Sequence, residues 1–311
     1  MKPSLIRRFS TFWGTLFALS FFVAVTAYAQ GTDYSKINIK TTKIADNFYM
    51  LEGAGGAMGV LAGPDGVLLV DTEFAPLTDK IVAAIKQVSP SPIRFVINTH
   101  YHPDHTGGDE NFGKLGAAII ARPELRERLM HPAPGASGPS TPAPAIALPI
   151  ITFDSPITFH MDGEEVDAIP VPHAHTDGDT MLHFHNANVI MSGDFYRSGG
   201  YPNIDRVGGG SLTGMIDGLG ALVALAGPNT KIIPGHGAVV DRTAVAAQRD
   251  MIVVLRDRVA KMVQQGKTVD EVIAAHVTAD YDPMVPPAPG STDRFQDRFI
   301  GQLYAELKAG K

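Results

Sequence analysis

Short apolar runs closed by glycine turns dominate the first part of this chain. Ile44–Leu51, Met58–Ala62 and Val67–Asp71 read as strands, separated by Gly53-Ala54-Gly55-Gly56 and Gly63-Pro64-Asp65-Gly66. Leu77, Ile81, Ile85 and Val88 then recur at helical spacing. Ile93–Ile97 and Ala117–Ala121 return to buried strand. Ile157–Met161 and Val166–Val171 flank the hairpin dipeptide Asp162-Gly163, and Thr180–His185 and Val189–Ser192 flank Asn186-Ala187-Asn188. Met215–Leu225 predicts a helix and Lys231–Pro234 a short strand. From Asp241 the pattern is helical, with Val245, Ile252, Leu255, Val259 and Met262 on one face. Thr268 and Glu271 form a capping box. A proline break at Pro283–Pro289 precedes a last helix carrying Phe295, Phe299, Leu303 and Leu307 on one side. Strands then helix, twice over, predict two sheets packed together with helices outside.

Two segments interrupt this rhythm. Residues 131–149 hold prolines 132, 134, 139, 142, 144 and 149, a density that excludes helix and central strand. The expectation is a solvated, semi-rigid connection between two halves rather than a flap. The N-terminus carries Lys2, Arg7 and Arg8, an apolar stretch from Phe12 to Val25, and the small-x-small triplet Ala27-Tyr28-Ala29. This predicts a signal peptide over 1–29, cleaved after Ala29, because the apolar core falls short of the roughly 20 residues that a spanning helix needs. The expected location is the periplasm or the medium. Residues 30–311 are then expected to form one domain that ends in the helices of 241–311.

Cleavage removes three basic and no acidic residues, taking the formal net charge from −6 to −9. That balance offers no basic footprint for nucleic acid and, once the signal is gone, nothing for a membrane, leaving a small molecule as the expected partner. Oligomeric state has no signature here. There are no cysteines, so neither disulfides nor thiolate metal ligands are available.

The chemistry concentrates in His100-Tyr101-His102-Pro103-Asp104-His105, directly after the strand Ile93–Ile97. Histidines at i and i+2 in extended chain point to the same side, and Asp104 and His105 can turn to a second point nearby. Imidazole nitrogen and carboxylate oxygen are ligands that zinc accepts. Further donors sit at strand ends beside glycines: His175 in His173-Ala174-His175-Thr176-Asp177-Gly178, Asp194 in Ser192-Gly193-Asp194, and His236 in Pro234-Gly235-His236-Gly237. The pattern predicts a metal site.

These pieces, with Asp71 closing an early strand, resemble the metallo-β-lactamase superfamily over nearly all of residues 30–311. The resemblance implies an α+β fold, a four-layer αββα sandwich, with two zinc ions per chain at one edge; the donor set does not exclude iron or manganese. It implies His100, His102 and His175 on the first ion, Asp104, His105 and His236 on the second, and Asp194 bridging them, with Asp104 also serving catalysis. Asp71 is expected to orient a ligand histidine from behind rather than bind metal. The implied reaction is attack of metal-bound hydroxide on a β-lactam-type cyclic amide. The alternatives are a lactonase or esterase on the same fold, and an accessory metalloprotein of a periplasmic quinoprotein system. One group of true metallo-β-lactamases has cysteine where Asp194 stands. The stretch Phe195–Pro202 also lacks the glutathione-binding pattern of glyoxalase II.

Candidate substrate contacts rest on position alone: Met58 in the glycine-rich tip Gly53–Gly59, where family members keep a mobile covering loop, and Tyr196, Arg197 and Tyr201 after the bridging aspartate. Among the other histidines, His183 and His185 alternate with Leu182 and Phe184 and are assigned either to the outer face of a strand or to a place behind the metal ligands. His173, His131, His160 and His276 are read as ordinary loop or surface residues.

Overall fold

The computed structural model describes residues 32–134, 137–285 and 295–310. The signal peptide over 1–29 and most of the expected proline break lie outside the described residues. The chain divides after Lys36. In the first unit a single 3-10 turn, Tyr34–Lys36, is described, and everything that follows concerns the unit from Ile37 onward.

Its first sheet runs in simple sequence order through β1 (Lys40–Lys43), β2 (Phe48–Glu52), β3 (Met58–Gly63), β4 (Gly66–Val70), β5 (Ile93–Ile97), β6 (Ala118–Ala121) and β7 (Ile151–Thr152). The pairs from β1 to β4 are antiparallel and those from β4 to β7 parallel. The parallel half needs crossovers, supplied by α1 (Thr78–Val88), by α2 (Pro103–Thr106) and α3 (Asp109–Lys114), and by α4 (Pro123–Met130). The second sheet, ordered β12-β11-β10-β9-β8, contains β8 (Ile157–Met161), β9 (Glu164–Val171), β10 (Asp179–Phe184), β11 (Val189–Met191) and β12 (Lys231–Ile233). α5 (Leu212–Leu225) crosses between the parallel pair β11 and β12. α6 (Arg242–Gln264), α7 (Val269–Ala274) and α8 (Phe295–Ala309) close the chain.

Alternation sorts the side chains into layers. Phe48, Leu61, Leu68, Val70, Ile97 and Ile120 of the first sheet meet Val166, Ala168, Leu182, Phe184, Val189 and Ile233 of the second in one buried cluster. Their neighbours in sequence point the other way. Ile190 and Ile232 pack under Met215, Leu219 and Leu222 of α5 and Ile252, Leu255 and Val259 of α6, which α8 joins through Phe299 and Leu303. α1 buries Leu77 just before its start, then Ile81 and Ile85, on the opposite side of the molecule's first sheet, whose outward Val60, Leu69 and Val96 are also fully buried. The result is the expected αββα sandwich. Ser211, Asp241 and Thr268 cap α5, α6 and α7, the last through the predicted capping box with Glu271. Among the described residues no helix is long and apolar enough to cross a membrane.

Three expectations change. The strand predicted from Ile44 starts at Phe48, and a separate polar strand, Lys40-Thr41-Thr42-Lys43, forms the sheet edge. Its lysines suit an edge, where charge blocks pairing with another chain. The proline segment, exposed over most of its described residues as expected, is also pinned to the core: Leu148 packs with Tyr101, Leu125 and Leu129, and the Ala143 N–H donates to the Leu129 carbonyl at 2.8 Å. It does not join the two sheets, since it leads into β7 and the boundary falls after Thr152.

Candidate metal centre

The parallel strands of the first sheet end on one rim, where open α/β sheets characteristically place ligand sites. β5 delivers Asn98–Tyr101 to that rim. His102 keeps an extended backbone (φ −66°, ψ 149°), and Pro103 then starts α2 at its first position, where proline's fixed φ fits a helix. The extended pair and the helical turn aim four side chains inward. His100 lies with its ring 4.7 Å from that of His102, 4.1 Å from His105 and 4.8 Å from His175. From the second sheet come His175 after β9, Asp194 after β11 and His236 after β12. The donor atoms fall into two groups, His100, His102, His175 and Asp194, and Asp104, His105 and His236, each with its atoms within 4.8 Å of one another. Neither group uses Asp71 or His173.

The rings are fixed by what stands behind them. Asp71, in the left-handed region at φ 61°, takes the Thr99 N–H and Thr99 hydroxyl at 2.7 Å each and holds His105 Nδ1 at 2.7 Å. His105 is thereby left with Nε2 free, 3.2 Å from Asp194 Oδ1. His102 gives Nε2 to Asp205 Oδ2 at 2.9 Å, and His175 gives Nδ1 to the Asn203 carbonyl at 2.7 Å. Each of those partners accepts a hydrogen, so the remaining nitrogens, His102 Nδ1 and His175 Nε2, both carry lone pairs. They face each other at 3.0 Å. His100 Nε2, His105 Nε2 and Asp194 Oδ1 are likewise buried with no hydrogen-bond partner among the described residues. In the neutral imidazoles such convergent lone pairs repel, and a cation removes the repulsion. The donor set fits two divalent metal ions.

Electrostatics divide the histidines. Burial opposes charge on His105, but Asp71 and Asp194 outweigh it and raise the imidazole well above its usual range. Without metal it holds a proton that ligation would displace. Burial drives the His100 imidazole well below its usual range, helped by the nearby His105, so it stays neutral as a ligand must. Burial pushes the Asp194 carboxyl up, but His236 and His105 outweigh it and hold the group well below the carboxylate range. Burial opposes the charge on His236 also, and Asp194 and Asp104 override it, raising the imidazole to about 9. Asp104 falls to about 2, where burial is outweighed by its bond to His236.

Backbone proximity needs glycine at two points. A Cβ on Gly235 would collide with Asp194 Oδ1, and one on Gly56 would enter the His105 ring. The tip of the β2–β3 hairpin is thus clamped on the site, with the Gly56 N–H on the Asp104 carbonyl at 3.1 Å and the Ala57 N–H on the Gly235 carbonyl at 2.8 Å. Asp104 and His236, each about a quarter exposed, form the open side of the centre.

The expected substrate contacts are corrected. Met58 is wholly enclosed as the first residue of β3, with no surface to offer. The 3-10 turn Gly193–Phe195 directs the chain inward under α6 and α8. Tyr196 and Tyr201 are therefore buried there, Tyr201 donating to Asp282 Oδ1 at 2.7 Å. Arg197 lies over the Phe295 ring of α8 at 5.5 Å. Sequence reading also passed over Asp205, which receives Tyr101 OH at 2.5 Å besides holding His102. It passed over Asp109 too, which with Thr72 and Asn98 braces the His105 carbonyl.

The family model described as the metallo-beta-lactamase superfamily matches residues 52–236, which contain every one of these donors. The chain belongs to the metallo-beta-lactamase superfamily. Among superfamily relatives, a linear primary-alkylsulfatase of Pseudomonas sp. (strain ATCC 19151) is 22% identical over 69% of this chain and 48% of its own length. A hydroxyacylglutathione hydrolase of Pelagibacter ubique (strain HTCC1062) is 27% identical over 46% of this chain and 52% of its own. The chain thus spans about half the length of the curated relatives it matches. Of solved structures, a metallo-beta-lactamase from Pontibacter korlensis superposes with TM-score 0.60 at 16% identity, covering 70% of this chain and 99% of that one. The sec-alkylsulfatase Pisa1 from Pseudomonas sp. gives 0.62 at 20% identity, over 86% of this chain and 50% of its own. As a superfamily member with this cluster, the chain carries a candidate metal centre.

Proposed function

We propose that this protein is a dinuclear zinc hydrolase, exported after removal of residues 1–29, that opens a β-lactam-type cyclic amide. The observation that carries the two-metal part is the lone-pair convergence of His102 Nδ1 and His175 Nε2 at 3.0 Å, repeated at the orphaned His100 and His105 nitrogens. When bound, a zinc pair supplies Lewis-acid activation of water and of a carbonyl. The chain's own part is positional. His100, His102 and His175 would hold the first ion, Asp104, His105 and His236 the second, and Asp194 both. Asp205 and Asp71 keep His102 and His105 in the tautomers that ligation requires. Asp104 and His236, on the open side, face the space from which a substrate enters, and the clamped hairpin tip walls it.

Sulfate-ester cleavage is the second reading. It is favoured by the sec-alkylsulfatase structure, which covers 86% of this chain against 70% for the lactamase structure. Zinc-loaded protein lacking residues 1–29 should be assayed against nitrocefin, a carbapenem, an acyl-homoserine lactone and a primary alkyl sulfate. Turnover of the lactams is expected. Turnover of the lactone or sulfate alone would replace the cyclic amide with that ester, and silence on all four by fully loaded protein would overturn the hydrolytic reading.

A further inference from the structure

A second group of donors lies on the outer face of the second sheet. Asp167 of β9 is the direct cross-strand partner of His183 of β10, and His185, two positions on, shares its face. The donor atoms of Asp167, His183 and His185 lie within 4.8 Å of one another. His185 Nε2 is 2.8 Å from Asp167 Oδ2, and the two rings are tilted neighbours with centroids 4.1 Å apart. Thr158 Oγ1 donates to Asp167 Oδ1 at 2.6 Å and fixes the carboxylate from the far side. Glu165, whose Oε1 is 3.9 Å from His185, adds a second carboxylate at the rim.

This arrangement differs from ordinary surface polarity in two ways. His183 Nδ1 is buried with no hydrogen-bond partner among the described residues, although a donor left dry is costly and is normally paired. Two imidazoles also stand together, tilted, beside one carboxylate, although one imidazole would suffice for an ion pair. Burial, then the neighbouring His185, lowers the His183 imidazole. Asp167 is lowered too, its modest burial being outweighed by Thr158 and His185.

We infer that Asp167, His183 and His185 form a further metal site, for a borderline divalent cation such as zinc or copper(II). Two imidazole nitrogens and one carboxylate select that class over calcium or magnesium, which prefer oxygen. Three protein donors leave further positions to water. The site is separate from the hydrolytic centre. β10 starts at Asp179, whose carboxylate receives the His175 N–H, and His183 lies four residues along, roughly 13 Å at the usual strand rise.

The test is metal content of the full chain after dialysis against chelator-buffered zinc, read by elemental analysis. The full chain is expected to hold one more zinc than His183→Gln/His185→Gln, and copper(II) added to zinc-blocked protein should give a two-nitrogen electron paramagnetic resonance signature absent from the variant. His185→Gln alone, at a half-exposed position, serves if the double variant does not fold. Equal metal content in the full chain and in a folded variant would overturn the site, as would a copper signal that survives the substitutions. Because His236→Ala disables the other centre and leaves this one untouched, failure here is distinguishable from failure of the hydrolytic reading.

Discussion

At the scale of single residues, the tautomers decide the centre. Six consecutive residues, His100 to His105, made most of the donor set legible because the donors stand together and the i, i+2 spacing needs no tertiary knowledge. Asp205 was not legible. It sits in an irregular loop, and its tie to His102 spans more of the chain than any spacing rule covers. Asp205→Asn should still fold but lets His102 turn or change tautomer, and loss of such a partner typically costs about 10–100-fold in metal affinity or activity. Competition with a calibrated chelator would measure it. Asp194→Ala should cost at least as much, with loss of bound metal, while His173→Ala, outside both donor groups, leaves activity near that of the full chain. Turnover and metal content of the pair would decide the bridging role. In metal-free protein His236 is raised from its ordinary 6.5 to about 9. The protonated imidazole therefore stabilises the metal-free fold fully below about 6.5, and that contribution is lost as pH rises to about 9. Over the same window zinc has less proton to displace, so affinity rises with pH. Calorimetry in buffers of different ionisation heat should show proton release at pH 7 that fades towards pH 9.

At the scale of elements, strands were read well and short helices poorly. β5 and β8 have the predicted bounds because a buried strand is a continuous or alternating apolar run that ends where burial ends. α2 and α3 are too short to show a helical period. α4, opening with Pro123, is only 8 residues long, too few for the period to stand out. Tyr196 and Tyr201 went wrong for a related reason: proximity in sequence to Asp194 said nothing of the 3-10 turn that buries them. The ends of β11 and β12 are pressed together at Gly193 and Gly235, where the Gly235 N–H bonds the Gly193 carbonyl at 2.9 Å. Gly235→Ala should push Asp194 out of line and lower metal content, with little change in far-ultraviolet circular dichroism. A variant that binds metal like the parent would show the contact to be dispensable.

At the scale of the whole molecule, the expected export has a direct readout. Protein recovered from the periplasm should have an intact mass beginning at Gln30, and a mass retaining residues 1–29 in the membrane fraction would contradict it. The two-layer core was legible because strand-length apolar runs recur in both halves, whereas the anchoring of the proline segment was not, since its packing on Tyr101 depends on a partner outside it. The donors of the candidate metal centre come from both sheets, His100 to His105 from one, His175, Asp194 and His236 from the other. That division sets an order of assembly. A chain leaving a ribosome or translocon would present the histidine cluster long before His236, and half a centre holds metal weakly. Cation capture would then be a closing event that reports on docking of the two halves, and the ion, once in place, would act as a rivet across the seam against local separation.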